Sequence, residues 1–155
     1  MKKQLTIEFE EFEALNELCE KDYELVMEAR QALQSSYSPY SKFRVGSAVR
    51  FQDGEIVKGS NQENVAYPSG MCAERVALFA AGNDAKQRKI AAIAIAAMKD
   101  GCFVAAKPCG ACLQTMLETE KRAKASLTIL IALGEDKFAK VEGVKNLMPF
   151  AFTDF

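Results

Sequence analysis

Apolar residues fall along this chain in two periods, and each period predicts an element. Residues 4–9 (Gln-Leu-Thr-Ile-Glu-Phe) alternate, which predicts a short strand. From Asp22 to Leu33 the apolar positions Leu25, Val26, Ala29 and Leu33 recur at helical spacing. The run Ser35-Ser36-Tyr37-Ser38-Pro39-Tyr40-Ser41 then breaks that helix into a loop. Residues 44–51 read as a strand, Asp53-Gly54 as a hairpin turn, and Glu55 to about Ser60 as the returning strand. Pro68 and Gly70 mark another loop. Cys72 to Ala81 then has helical composition, with Val76, Leu78, Phe79 and Ala80 available to a core.

Ile90 to Met98 is an almost unbroken apolar run whose length suits a central strand buried on both faces. Its alanine content suits a helix as well. Pro108 precedes a helix over Gly110 to about Glu118. Ser126–Ala132 reads as another buried strand, Lys137–Val141 as a last short strand, and Val144–Leu147 as a helical turn. Helix, hairpin, helix, strand, helix, strand is the order expected of an α/β fold with one mixed sheet and helices packed on its faces. There is no internal repeat, low-complexity tract or linker, so residues 1–155 are expected to form a single domain.

Bulk properties narrow the function. An apolar fraction of 49% and a charged fraction of 26% are ordinary for a globular protein. A net charge of -1 offers no basic excess to grip a phosphate backbone, so polymeric nucleic acid is not an expected partner. No apolar run approaches the roughly 20 residues needed to span a bilayer. The N-terminus lacks a signal peptide's apolar stretch, so the expected location is the cytoplasm. Five cysteines, an odd number, do not suggest a disulfide scaffold. Cys19 and Cys102 lie outside any motif and read as buried small apolar side chains.

The chemistry sits in Cys72-Ala73-Glu74 and Pro108-Cys109-Gly110-Ala111-Cys112. Three thiolates, from Cys72, Cys109 and Cys112, fill three corners of a tetrahedral zinc ion and leave the fourth for water, the mark of a catalytic site. With no histidine in the chain, zinc must sit on sulfur. Each cysteine is expected at a helix N-terminus, where the positive end of the helix lowers thiol pKa and offsets negative charge. Zn²⁺ with three thiolates is formally anionic, so a cation is expected nearby, and Arg75 is the candidate. Glu74 is placed to move the protons of a bound water. Taken singly these signals are weaker: Cys-x-x-Cys also occurs in redox loops, and Glu74 and Arg75 would each read as solvated helix residues.

The chain resembles the zinc-dependent cytidine deaminase family. Cys-Ala-Glu with Pro-Cys-x-x-Cys is the three-cysteine form of the nucleobase-deaminase signature. Tyr37–Gly46 is similar to the family's segment before its first strand, and Asn61–Arg75 to its longest motif. The likeness runs from about Asp22 to Phe152, leaving residues 1–20 as an extension of unknown role.

The resemblance implies a three-layer α-β-α fold and one Zn²⁺ per chain. It implies hydrolytic deamination of cytidine, and of deoxycytidine, to the uracil nucleoside plus ammonia, in pyrimidine salvage. It implies Cys72, Cys109 and Cys112 as zinc ligands and Glu74 as the acid/base. Asn61 and Glu63 resemble the pair that holds the ribose 3′-hydroxyl, and Phe43 the aromatic that packs on the pyrimidine. The backbone at Ala73 would hold the polar edge of the base. The all-cysteine ligand set resembles the small homotetrameric type with shared active sites, in which Phe152 would reach a neighbouring subunit's pocket. Read on composition alone, Phe43 is more simply a core residue, and Asn61 and Glu63 are equally a polar strand end and loop.

Two positions depart from the pattern. Leu113 stands where an arginine is frequent, and Pro149-Phe150-Ala151-Phe152 where Pro-Gly-Ala-Phe is common. Competing readings are a deaminase of a related aminopyrimidine such as blasticidin S, a non-catalytic zinc-stabilised binding module, and a dithiol redox protein using Cys109 and Cys112.

Overall fold

In the computed structural model, which describes residues 1–83 and 86–153, the strands join in one mixed sheet. In chain order the elements are β1 (Glu10–Phe12), α1 (Glu20–Ala32), β2 (Arg44–Phe51), β3 (Ile56–Ser60) and α2 (Ala73–Gly82). They continue with β4 (Ile90–Lys99), β5 (Cys102–Val104), α3 (Gly110–Ala123), β6 (Thr128–Ala132) and β7 (Phe138–Glu142). The strand order is β1-β7-β6-β4-β2-β3, with β5 paired to β4. β4 and β6 run parallel, joined by a crossover through α3, and the other neighbours are antiparallel. No helix among the described residues is long and apolar enough to cross a membrane.

Two glycines define the layers. Successive residues of a strand point to opposite faces. A Cβ on Gly46 would lie 2.1 Å from the Ala29 carbonyl oxygen of α1. Gly59, opposite the next residue, Ser47, would carry a Cβ 2.4 Å from the Ala77 nitrogen of α2. α1 and α2 therefore lie on opposite faces, each close enough to touch strand backbone, and α3 packs beside α2. This is the expected single mixed sheet covered on both sides.

The same register resolves the alanine-rich run in favour of a strand. Ala92, Ala94 and Ala96 pair with Arg50, Ala48 and Gly46 and so share the thin face beneath α1. Ile93 and Ile95 point to the other face, beside Ile129 and Ile131 of β6. Leu25, Val26, Ala29 and Leu33, the periodic positions of the first helix, are buried as their spacing predicts. Asp22, one turn earlier, is buried too, and ties α1 to the sheet through Arg50 (3.2 Å) and Lys140 (3.0 Å).

Several expectations are corrected. Residues 4–9 lie outside any strand and are exposed. The first strand starts at Glu10: only residues 10–12 pair with β7, and the chain before them leaves the sheet although β7 continues through Val141 and Glu142. Cys19 and Cys102 are exposed: Cys19 caps α1, and Cys102 follows the tight turn at Asp100-Gly101. Phe79 and Ala80 fall on the outward side of α2, whose buried side chains are Ala73, Glu74, Ala77, Leu78 and Ala81. β5 has no counterpart in the sequence reading, and α3 runs to Ala123, beyond Glu118.

Candidate metal centre and its pocket

Cys72 is the N-cap of α2 and Cys109 the N-cap of α3, both with extended backbone, and Cys112 lies in the first turn of α3. The two helices lie side by side with these ends together, so positive helix termini and free N–H groups meet at one point. The three Sγ atoms lie within 4.8 Å of one another, with Cys109 and Cys112 3.5 Å apart. Sulfurs bound tetrahedrally to zinc at about 2.3 Å would stand about 3.8 Å apart, so these side chains fit the ion with little adjustment. Among the described residues no His, Asp or Glu joins the three at that distance. The donor set is therefore three thiolates with one tetrahedral corner left over.

The electrostatics favour thiolate at Cys72. Arg75 Nη2 lies 3.7 Å from Cys72 Sγ, where a guanidinium stabilises negative sulfur. A hydrogen bond from Cys112, then that from Arg75, draw the Cys72 thiol down to about 5 despite burial. Cys112 is pushed up by that same bond to Cys72 and by its own burial. Arg75 is in turn held protonated by its bond to Cys72. Burial, and then the adjacent Cys72 thiolate, raise Glu74 above the ordinary carboxyl range. At 4% exposure Glu74 is one of the few buried charged residues.

A cavity of about 770 Å³ opens against this cluster, lined by Phe43, Asn61, Glu63, Cys72, Ala73 and Glu74. The fold brings these sequence-predicted residues together by pinning residues 61–63 between two other segments. The Gln62 backbone pairs with Met71, while Tyr37 N donates to Asn61 O at 3.0 Å and Glu63 N to Tyr37 O at 2.8 Å. Asn61 braces the loop ahead of β2: its Oδ1 accepts from Val45 N (2.8 Å) and Ser36 Oγ (2.5 Å), and its Nδ2 donates to Phe43 O (2.9 Å). The Glu63 carboxylate accepts from the Ser41 hydroxyl and from the backbone N–H groups of Tyr40 (2.9 Å) and Ser41 (3.2 Å). The Ser41 hydroxyl bond, with the two backbone bonds, holds Glu63 below the ordinary range.

Ser36, Tyr40 and Ser41 are the residues that sequence reasoning missed. The only signal for them is a serine-rich turn whose hydroxyls could serve any loop. Phe152 does not line this cavity. It is exposed, accepts a hydrogen bond from Gln114 Nε2 at its carbonyl (2.9 Å), and borders a groove between α2 and α3 together with Phe79. Of the two departures, Leu113 is buried in the core and Phe150 is 98% exposed.

Known proteins match this arrangement. Residues 19–127 fit the family model described as the cytidine and deoxycytidylate deaminase zinc-binding region. The chain is 36% identical over 129 residues to a cytidine deaminase of Halalkalibacterium halodurans, covering 83% of this chain and 92% of that protein. The crystal structure of cytidine deaminase from Burkholderia pseudomallei superposes with a TM-score of 0.68 at 35% identity, over 84% of this chain and 98% of that one. The Mycobacterium tuberculosis cytidine deaminase structure gives 0.62 at 30% identity, over 84% of this chain and 96% of that one. A clustered cysteine triad, a buried glutamate beside it and a matching sheet come together in one family, and this chain belongs to the zinc-binding cytidine and deoxycytidylate deaminases.

Proposed function

We propose that this chain hydrolyses the amino group of cytidine to give uridine and ammonia, with deoxycytidine as a second substrate, in pyrimidine salvage. The observation that carries this reading is the buried Glu74 facing a nucleoside-sized cavity beside three clustered thiols. Cys72, Cys109 and Cys112 hold the zinc, which when bound supplies Lewis-acid activation of water. Glu74 takes the proton from that water and delivers it to N3 of the base, which makes C4 electrophilic. The water oxygen bonds to C4, Glu74 carries that oxygen's remaining proton to the amino group, and the C4–N bond breaks to release ammonia, so one carboxylate serves as base and then acid. Its raised pKa suits both roles.

Substrate binding follows from the atoms left over. Asn61 keeps one Nδ2 hydrogen, and Glu63 keeps acceptor capacity on Oε1, a donor and an acceptor for a ribose hydroxyl. A free base would strand both groups. Phe43 packs on the pyrimidine face, and the Ala73 N–H at the start of α2 meets the base's polar edge. Arg75 offsets the surplus sulfur charge. Phe152 completes the pocket of a neighbouring subunit in a homotetramer, supported by its exposure and by that of Phe79 on the same side. Residues 1–155 act as one domain, supported by the one continuous sheet. Five free cysteines suit the reducing cytoplasm.

Metal analysis with a side-by-side assay tests this. Purified protein is expected to carry one zinc per chain and to turn over cytidine faster than cytosine or blasticidin S. Glu74→Gln is expected to keep the metal and lose the activity. A fully active Glu74→Gln protein, a metal-free active one, or faster turnover of cytosine overturns the reading.

A further inference from the structure

We infer that residues 3–11 form a strand that pairs antiparallel with the same segment of a second copy of this chain, centred on Ile7, in a contact separate from any shared active site. Leu5, Ile7 and Phe9 alternate along this segment and are 60%, 46% and 56% exposed. β1, into which the segment leads, is the last strand of its sheet, so one edge of its backbone is open. Pairing between β1 and β7 stops at Glu10–Lys140, and residues 4–9 lie outside any strand. An alternating apolar segment running into an open sheet edge is a template for strand addition.

The charges select both partner and register. Basic Lys2 and Lys3 open the segment and acidic Glu8, Glu10, Glu11 and Glu13 close it. A second copy laid parallel would set glutamate against glutamate. Laid antiparallel about Ile7, Lys3 faces Glu11, Gln4 faces Glu10, Leu5 faces Phe9, Thr6 faces Glu8 and Ile7 faces Ile7. Leu5, Ile7 and Phe9 of both copies then share one face, with a Lys3–Glu11 pair at each end. Moving the centre by half a residue sets Leu5 against Glu8 and Gln4 against Phe9. Glu11 is already held in place by Lys137 at 2.6 Å, so the acidic end is ordered before the partner arrives. The contact is isologous, as two-fold association requires, and it joins two sheets edge to edge.

Cysteine scanning tests it on the full-length, zinc-loaded chain with the exposed Cys19 and Cys102 replaced by serine. Ile7→Cys places two thiols opposite each other, at the Cα separations of about 4.5–5.5 Å that a disulfide accepts. It is expected to give a covalent dimer under mild oxidation. Thr6→Cys and Glu8→Cys alone are expected to cross-link at least about 10-fold more slowly, and their equimolar mixture rapidly. Lys3→Glu in the Ile7→Cys chain is expected to slow cross-linking about 10-fold by turning two attractive pairs into repulsive ones. Equal rates at positions 6, 7 and 8, or no effect of Lys3→Glu, overturn the proposal. None of these variants touches the cavity, so unchanged cytidine turnover separates this result from the proposed activity.

Discussion

Gly59→Ala and Gly46→Ala add the same methyl group to opposite faces of one sheet, and only the first is expected to reach the metal. The Gly59 Cβ would meet the Ala77 nitrogen at 2.4 Å, the Ala73 carbonyl oxygen at 2.8 Å and Ala77 Cα at 2.9 Å. All three are backbone atoms, so no side chain can rotate away. Restoring contact near 3.5 Å requires α2 to retreat by roughly 1 Å. α2 begins at Cys72 and carries Glu74 in its first turn, so ligand and acid/base move with it. The Gly46 Cβ would meet Ala29 O at 2.1 Å and Leu33 N at 2.8 Å and would displace α1, which bears no zinc ligand. Overpacking of this kind costs about 1–3 kcal/mol. For a chain of this size that lowers Tm by about 2–12 °C for either variant. A 1 Å misplacement of catalytic groups costs about 100-fold in rate. Gly59→Ala is therefore expected to lose about 100-fold in kcat and to release zinc to a chelator about 10- to 100-fold faster, whereas Gly46→Ala retains its metal. The assays are thermal unfolding, chelator competition and steady-state turnover at 25 °C. A Gly59→Ala protein with reduced Tm but wild-type kcat and zinc retention would refute the coupling of β3 to the site through α2.

Glu74→Gln is expected to lower kcat on the order of 10⁴-fold with zinc content unchanged, because proton transfer recurs in successive steps. Arg75→Gln removes the guanidinium 3.7 Å from Cys72 and is expected to weaken zinc binding about 10- to 100-fold, read by chelator titration. Asn61→Ala frees Val45 N, Phe43 O and Ser36 Oγ together and is expected to raise KM for cytidine at least about 10-fold while zinc content holds. Burial opposes ionisation of Asp22, but Lys140 and Arg50 outweigh it and hold its pKa below 3.8. Its contribution to stability is therefore present above about pH 4 and lost as pH falls through the lowered folded value. Asp22→Asn is expected to destabilise by roughly 1–3 kcal/mol at pH 6 and to flatten the fall in urea midpoint below pH 4.

The sequence was most legible where one residue type can satisfy one physical demand. Cys72, Cys109 and Cys112 sit at helix starts because proline, turn residues and helical composition surround them, and the triad assembles as their spacing suggests. The periodic face of α1 was equally plain. Ile90–Met98 was ambiguous because alanine serves strand and helix alike, and only its partners Gly46 and Ala48 explain why small residues are needed there. Residues 4–9 carry a strand's alternation, but alternation does not supply a neighbouring strand, and pairing with β7 stops at Glu10. Phe79 faces outward because an apolar residue on a helix need not lie on its buried face. β5, three residues beside a tight turn, is held by β4 and leaves no period to read. The Ser36–Asn61 and Ser41–Glu63 bonds join positions far apart in sequence, and nothing local announces them.

Gly46, Ala48, Ala92, Ala94 and Ala96 form a floor that mutation can change in only one direction. Nothing on it can shrink further except alanine to glycine, and at Gly46 an added carbon collides with the main chain of α1. Variation is thereby steered to the opposite side, where isoleucine and valine can be traded for neighbours of like volume. A lineage exploring new substrates would hold the α1 side still as its reference surface and remodel the side that faces the pocket.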